Sequence, residues 1–340
     1  MTNKHIKELN SLRDKSKARK EAGLFIVEGL KMFAEAPAEN LLEVYVTSSF
    51  AKEHADIIAA KQREWERTLG KQFAGKQYEV IEESLMSKLS DTKTPQGVLC
   101  VLKQPGHTLE DIIESATTKS ATTKSATTKS ATTKSTPAKG DANSLFVVLE
   151  DIQDPGNLGT IIRTGEGAGV AGVIMSKGCV DIFNPKTIRS TMGSIYRVPF
   201  AYVEDIAQAI KTMQKVGIRV YAAHLKGERY YNEVNYCGQE NGTGKPMCDR
   251  EAAGRTTATG TAAAGTAAAS TAAAGTAAAG NAATGTAFLI GNEGNGLKDE
   301  TAALADEYIK IPMEGSVESL NAAVATSILM YEHHRQRKKR

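Results

Sequence analysis

Apolar residues in the second half of the chain come in short runs at 145–149, 170–175, 200–203, 219–223, 288–291 and 308–311. Runs of this length bounded by polar or glycine-containing stretches read as strands. Helix-like segments lie between most of them, at 158–168, 185–194, 204–216, 298–305 and 317–334. Strands alternating with helices predict a parallel sheet covered on both faces. In the last helix, Leu320, Val324 and Ile328 share one face. The first half has a different order. A charged stretch from Lys4 to Lys20 reads as helix, 24–27 as a strand running into Glu28-Gly29, and 30–36 as helix. Segments 42–47 and 97–102 read as strands, so residues 1–103 predict a small mixed α/β unit.

Two stretches break the pattern. Residues 115–134 repeat Ser-Ala-Thr-Thr-Lys four times, and 261–285 repeat Thr-Ala-Ala-Ala-Gly with small variations. A period of five matches neither a helix face nor a strand face, and no large apolar side chain is present to bury. Both read as solvated insertions. The expected layout is therefore a first domain at 1–103, a low-complexity linker at 104–143, and a second domain at 144–340. That second domain is interrupted at about 238–286, between its fourth and fifth strands.

Charge adds a preference for polyanions. The 340 residues hold 42 Lys and Arg against 39 Asp and Glu, but the basic residues are concentrated. Residues 1–20 carry seven basic side chains against two acidic ones. The C-terminal tail carries Arg335, Arg337, Lys338, Lys339 and Arg340, and the first repeat carries Lys119, Lys124, Lys129 and Lys134. The remainder is acidic, a distribution that suits localised contact with a polyanion. No run of 18 apolar residues is present, so no membrane span is expected. The N-terminal residues show no secretory pattern. Four dispersed cysteines without a C-x-x-C pair argue against a structural metal site. They fit buried free thiols in a reducing cytoplasm.

Three motifs follow strands. After 145–149 comes Glu-Asp-Ile-Gln-Asp-Pro-Gly-Asn-Leu-Gly, with Asn157 at an expected helix N-cap and Arg163 nearly two turns on. A bland alternative makes Asn157 a cap and Arg163 the ion-pair partner of Asp151 or Glu166. After 288–291 comes Gly-Asn-Glu-Gly-Asn-Gly, residues 291–296, whose glycines permit close backbone approach to a ligand. A dinucleotide fold places G-x-G-x-x-G after its first strand, so this turn argues against a nicotinamide enzyme. After 308–311 come Pro312 and then Ser319-Leu320-Asn321 at a helix start.

In order and spacing these motifs resemble the SpoU/TrmH family of RNA ribose 2′-O-methyltransferases, within the SPOUT superfamily. The matching positions are Asn157, Gly159 and Arg163; Gly291, Asn292, Glu293, Gly294 and Gly296; and Ile311, Pro312 and Met313 with Ser319, Leu320 and Asn321. Residues 7–103 resemble the family's substrate-binding domain through Arg13, Lys17, Arg19 and Lys20, then 25–29, then Thr94-Pro95-Gln96-Gly97. The resemblance implies an α/β fold with a deep trefoil knot in the second domain and a homodimer with its active site near the dimer interface. It implies S-adenosylmethionine (AdoMet) as cofactor, held by Gly291, Asn292, Gly296, Ile311, Met313 and Leu320. It implies Asn157, Arg163, Glu293, Ser319 and Asn321 as the catalytic set.

An arginine stays protonated in proteins. Arg163 is therefore read as stabilising a forming 2′-alkoxide and clamping a phosphate, with water or phosphate taking the proton. Glu293 is the other candidate base, although a structural role is preferred. Ser319 and Asn321 would orient the ribose and Arg163. Arg13, Lys15, Lys17, Arg19 and Lys20 are the expected RNA phosphate contacts. The two-domain layout favours rRNA over tRNA as substrate. The competing reading is a non-catalytic RNA-binding factor on the same scaffold.

Overall fold

A computed structural model describes residues 1–70, 78–118, 143–237 and 285–338. The N-terminal unit runs α1 (Asn3–Asp14), α2 (Ser16–Ala22), β1 (Leu24–Glu28), α3 (Leu30–Glu35) and β2 (Leu41–Thr47). It continues through α4 (Ser48–Glu53), α5 (Ala55–Leu69), β3 (Glu79–Ile81), α6 (Glu83–Leu89) and β4 (Val98–Lys103). Its sheet has the order β1-β4-β2-β3, antiparallel except for the β2–β3 pair. The single helix expected from Lys4 to Lys20 is two helices, because Lys15 is extended (φ −118°, ψ 117°). The break lets Arg19 fold back and donate to the carbonyls of Leu12 and Arg13, both at 2.8 Å.

The second unit begins earlier than the sequence suggested. Helix α7 (Leu109–Thr118) lies inside the expected linker and takes in the first turn of the Ser-Ala-Thr-Thr-Lys repeat. Leu109, Ile112 and Ile113 are buried against the larger sheet, and that i, i+3, i+4 spacing made an apolar stripe available. The rest of both low-complexity stretches lies outside the described residues. After α7 come β5 (Ser144–Leu149), α8 (Pro155–Ala168), β6 (Val170–Ser176), α9 (Pro185–Thr191), a 3-10 turn at Ser194–Tyr196 and β7 (Phe200–Val203). Then follow α10 (Ile206–Lys215), β8 (Ile218–Ala223), β9 (Arg229–Tyr230), β10 (Gly285–Ile290), α11 (Asp299–Ala302), β11 (Glu307–Lys310) and α12 (Ala322–Lys338).

The order β7-β6-β5-β10-β8-β11-β9 makes one sheet in which every pairing is parallel. Alternate residues of β5 show why its apolar run is unbroken. Leu145, Val147 and Leu149 face α8, α9 and α12, whereas Phe146 and Val148 face α7, α10 and α11. Parallel pairing also brings the carboxyl ends of β5, β10, β8 and β11 to one edge of the sheet, where ligands of open α/β sheets bind.

Helix α12 is rotated relative to the simplest apolar reading. Ala322, Ala323, Thr326, Leu329, Met330 and His333 are buried, while Val324 and Tyr331 are 48% and 49% exposed. The expected face of Leu320, Val324 and Ile328 does not form: α12 begins only at Ala322, leaving Leu320 before the helix, and Val324 is exposed while Ile328 is half-buried. Small residues on the inner side let α12 approach α8, where Gly165 lies against Met330.

The two units share one continuous core, with Phe25 of β1 stacked 4.8 Å from Phe183. Ion pairs seal the junction. Arg19 and Asp181, 3% and 13% exposed, are joined by two hydrogen bonds of 2.9 and 2.7 Å. Removing one partner of such a buried pair strands the other charge. Arg19→Met should lower the unfolding free energy by about 3 kcal/mol in urea titration, with most of that loss recovered in Arg19→Met/Asp181→Leu. An undiminished stability in the single variant contradicts a sealing role.

Candidate active site at the carboxyl edge of the sheet

Pro155 opens α8, and the residue before it, Asp154, is the N-cap, its carboxylate accepting from the Asn157 N–H at 2.9 Å. Asn157 is therefore not the cap that its sequence position suggested. Its side chain is released for tertiary contact. The Asn157 Nδ2 donates to Glu293 Oε1 at 2.9 Å, and its Oδ1 accepts from Asn321 Nδ2 at 2.9 Å. Asn321 Oδ1 in turn accepts from the backbone N–H groups of Ala323 (2.9 Å) and Val324 (3.2 Å), capping α12. The relay has a fixed direction. A carboxylate at one end accepts only and helix N–H groups at the other end donate only, so both amides between them can point one way.

Glu293 is the hub. Besides Asn157 it accepts from the backbone N–H of Asp154 and of Gln153, each at 3.1 Å. Burial alone would raise its pKa, but these hydrogen bonds outweigh burial and hold the carboxyl below its ordinary range. Ionised Glu293 thereby fastens the loop after β10 to the loop after β5.

That first loop is held closed. Asn292 and Gly296 exchange two backbone hydrogen bonds of 3.0 Å, and Asn292 Oδ1 accepts from the N–H of Gly294 at 2.8 Å. A Cβ at Gly291 would collide with the backbone of Gly296 and Leu297, and Gly296 has φ +68°. Glycine is required at the first position by space and favoured at the second by conformation.

Sequence reasoning missed the residues that anchor the base of this loop. Buried Glu150 accepts from Thr301 Oγ1 (2.6 Å) and from the Lys298 N–H (2.9 Å). Asp151, in the left-handed region at φ +55°, is held by Ser176 Oγ and Lys298 Nζ, at 2.7 and 2.8 Å. Its carbonyl accepts from Asn292 Nδ2 at 2.7 Å. The available signal was an acidic pair ending an apolar strand.

The remaining candidates divide. Arg163 is exposed and makes no hydrogen bond or ion pair with a described residue; Asp151 and Glu166 are engaged elsewhere. Six residues beyond Asn157, it lies about 9 Å along the α8 axis and is not joined to the relay. Ser319 is exposed, two residues before Asn321, without a described hydrogen-bond partner.

Ile311, Met313 and Leu320 are half-buried in the irregular segment between β11 and α12. Among the described residues, no backbone–backbone hydrogen bond ties residues 312–320. These apolar side chains and unfilled backbone groups follow β11, a strand whose carboxyl end lies at the same sheet edge as the glycine loop, and their chemistry fits a nucleoside-bearing cofactor. No group of three or more potential metal ligands occurs among the described residues.

The RNA candidates also divide. Lys15, Lys17 and Lys20 are exposed. Arg19 is buried in its pair with Asp181, and Arg13 is spent on Asp14 and the carbonyls of Lys88 and Ser90. The fold of α2 back on α1 buries the Arg19 guanidinium, while that of Arg13 is taken up at the surface by Asp14 and the end of α6.

A parallel α/β sheet with three interlocked loops at its carboxyl edge is the architecture that comparison finds elsewhere. The SpoU rRNA Methylase family model matches residues 144–247 and 247–331, and an MRM3-like substrate binding domain matches 3–100. The chain belongs to the SpoU rRNA methylase family. It is similar to the 23S rRNA (guanosine(2553)-2′-O)-methyltransferase RlmP of Bacillus subtilis, 23% identical over 330 residues, covering 97% of this chain and 95% of that one. It is also similar to rRNA methyltransferase 3, mitochondrial, of Xenopus tropicalis, 27% identical over 259 residues, 73% of this chain and 57% of that one. An AdoMet-bound rRNA methyltransferase from Sinorhizobium meliloti superposes with a TM-score of 0.64 at 25% identity, covering 98% of this chain and 95% of that one.

Because the folded pKa of Glu293 is depressed, its contribution to stability is complete above the ordinary carboxylate value of 4.5 and is lost as pH falls through the lower folded value. Glu293→Gln should cost about 1–3 kcal/mol at pH 7, and this deficit should shrink below about pH 4 in urea titrations. A deficit independent of pH contradicts the carboxylate hub.

Proposed function

We propose that this protein transfers the methyl group of AdoMet to a ribose 2′-OH in ribosomal RNA. The observation that carries the reading is the Glu293–Asn157–Asn321 relay, which joins the family's three motifs at one sheet edge. AdoMet supplies an electrophilic methyl carbon on a sulfonium. Gly291, Asn292 and Gly296 would line one side of its pocket, with Ile311, Met313 and Leu320 on the other. The rRNA 2′-O-methyltransferase of Bacillus subtilis and the AdoMet-bound rRNA methyltransferase of Sinorhizobium meliloti support both donor and substrate class, and favour rRNA over tRNA. A non-catalytic RNA-binding role is disfavoured by an intact motif set. No described helix is long and apolar enough to cross a membrane. A cytoplasmic location remains part of the proposal, supported by the buried thiols of Cys100 and Cys179.

A 2′-OH is a weak acid, so charge develops on oxygen as the carbon–oxygen bond forms. Arg163 has its guanidinium free to meet that charge and a neighbouring phosphate. Glu293 is a poor base here, since Asn157 and two backbone N–H groups already use its lone pairs. Water or the phosphate takes the proton. Ser319 and Asn321 sit where a ribose beside the donor could be oriented. Lys15, Lys17 and Lys20 are the proposed phosphate contacts of the N-terminal unit.

The proposal includes a trefoil knot, supported by the segment 311–321 that returns the chain from β11 to place α12 on α8. It also includes a homodimer through the outward faces of these two helices. Val324, Ile328 and Tyr331 present an apolar stripe beside Thr160, Arg163 and Gly167, and a Cβ on Gly167 would lie 3.0 Å from Tyr331 Oη. Such a patch marks an interface, and one at this place would put Arg163 near the partner.

With tritiated AdoMet and rRNA from cells lacking the gene, wild type should label ribose 2′-O positions. Arg163→Ala should lower kcat about 100-fold or more, with AdoMet affinity by calorimetry nearly unchanged. Full turnover by Arg163→Ala contradicts the assigned role. Sedimentation should show a dimer, and Val324→Glu a monomer; a wild-type monomer contradicts the interface.

A further inference from the structure

Arg163 has one acidic side chain within four positions on its helix, Glu166. Arginine and glutamate three residues apart on a helix are neighbours and ordinarily pair. Here they do not. The Glu166 carboxylate is engaged by Nε of Arg197 and by its Nη2, the latter at 3.1 Å. The remaining nitrogen, Nη1 of Arg197, donates to Glu35 of α3 at 2.7 Å. Glu35 lies so close over Gly193 that a Cβ there would strike its carboxylate. Arg197 and Glu166 are 29% and 31% exposed, so both charges are partly shielded from water.

We propose that Arg197 is a positioning residue for Arg163: by holding Glu166 it keeps the nearest carboxylate off the Arg163 guanidinium and leaves that guanidinium to the RNA. The proposal rests on the reading that Arg163 meets the reacting ribose. Its physics has two parts of the same sign. Without Arg197, a half-buried carboxylate loses its partner; Lys31 of α3 also acts on it, but Lys31 is already paired with Glu35, and the cation one turn away on its own helix is Arg163. Pairing then occupies the guanidinium, and an uncompensated negative charge stands near the oxygen where negative charge must develop. With Arg197 in place, its hydrogen bonds hold the Glu166 carboxyl below its ordinary pKa against the opposing effect of burial, so the carboxylate is ionised and satisfied. The fork is shared with the N-terminal unit through Glu35, but two of its three arms go to Glu166. Docking of the N-terminal unit is thus separable from control of Glu166.

The test uses the full chain, tritiated AdoMet and rRNA from cells lacking the gene. Arg197→Gln should lower kcat about fivefold, the effect of one modest ion pair, without changing the KM for AdoMet. Arg197→Gln/Glu166→Gln, which leaves no orphaned charge, should return to within about twofold of wild type. Glu166→Gln and Glu35→Gln alone should stay near wild type. A double variant as slow as Arg197→Gln, or an Arg197→Gln enzyme at full rate, overturns the proposal. A crystal structure of Arg197→Gln reads the same idea without activity. Glu166 within about 4 Å of the Arg163 guanidinium supports it, and Glu166 turned away overturns it. Wild type without methyl transfer, or Arg163→Ala at full rate, would instead overturn the functional reading.

Discussion

One carboxylate holds the catalytic edge together. Glu293 sits in a loop whose backbone is shaped by Gly291 and Gly296, and it accepts from three donors belonging to the loop after β5 and the start of α8. Through Asn157 its influence reaches Asn321 and the first N–H groups of α12. Three chain segments that are far apart in sequence therefore share one hydrogen-bond direction. Reversing Asn157 would set its oxygen against the Glu293 carboxylate, and reversing Asn321 would set its NH2 against the N–H groups of α12. The same loop is braced from below by Glu150 and Asp151, so the close approach of its backbone to a ligand is built on a rigid base.

The division of labour among the arginines follows from burial. Arg19 and Arg197 lie at the junction between the two units, each with its guanidinium filled by carboxylates or carbonyls. Arg13 is filled by Asp14 and two carbonyls. Arg163 alone of these four is exposed without a described partner. The filled arginines fix geometry, while Arg163 and the exposed lysines at 15, 17 and 20 are the cations that the proposed function assigns to phosphate and ribose.

The alternating pattern of strands and helices was legible because the larger sheet is buried on both faces, so each strand had to be an apolar run. The three motifs were legible through residue types with narrow uses: glycine where backbone crosses backbone, and asparagine beside a helix start. What could not be read was direction. The cap of α8 is Asp154 rather than Asn157, because Pro155 sets the helix start three residues earlier. The face of α12 was misjudged because small residues, Ala322, Ala323 and Thr326, make its inner side while Val324 and Tyr331 point outward. Of the five expected phosphate contacts, Arg19 is turned inward by the break at Lys15 and Arg13 is tied to Asp14 and the end of α6. Helix α7 was hidden by the repeat that follows it, although Leu109, Ile112 and Ile113 already spelled an apolar stripe.

These observations converge on a single spatial claim, that the loops after β10 and β11 form one pocket for the methyl donor, facing Asn157 and Arg163. A crystal structure of the protein soaked with AdoMet tests it most directly. The account predicts the nucleoside against 291–296 and 311–320, with the sulfonium methyl directed toward the side that Arg163 occupies. A donor bound at another edge of the sheet, or those two loops left empty at saturating AdoMet, would contradict it.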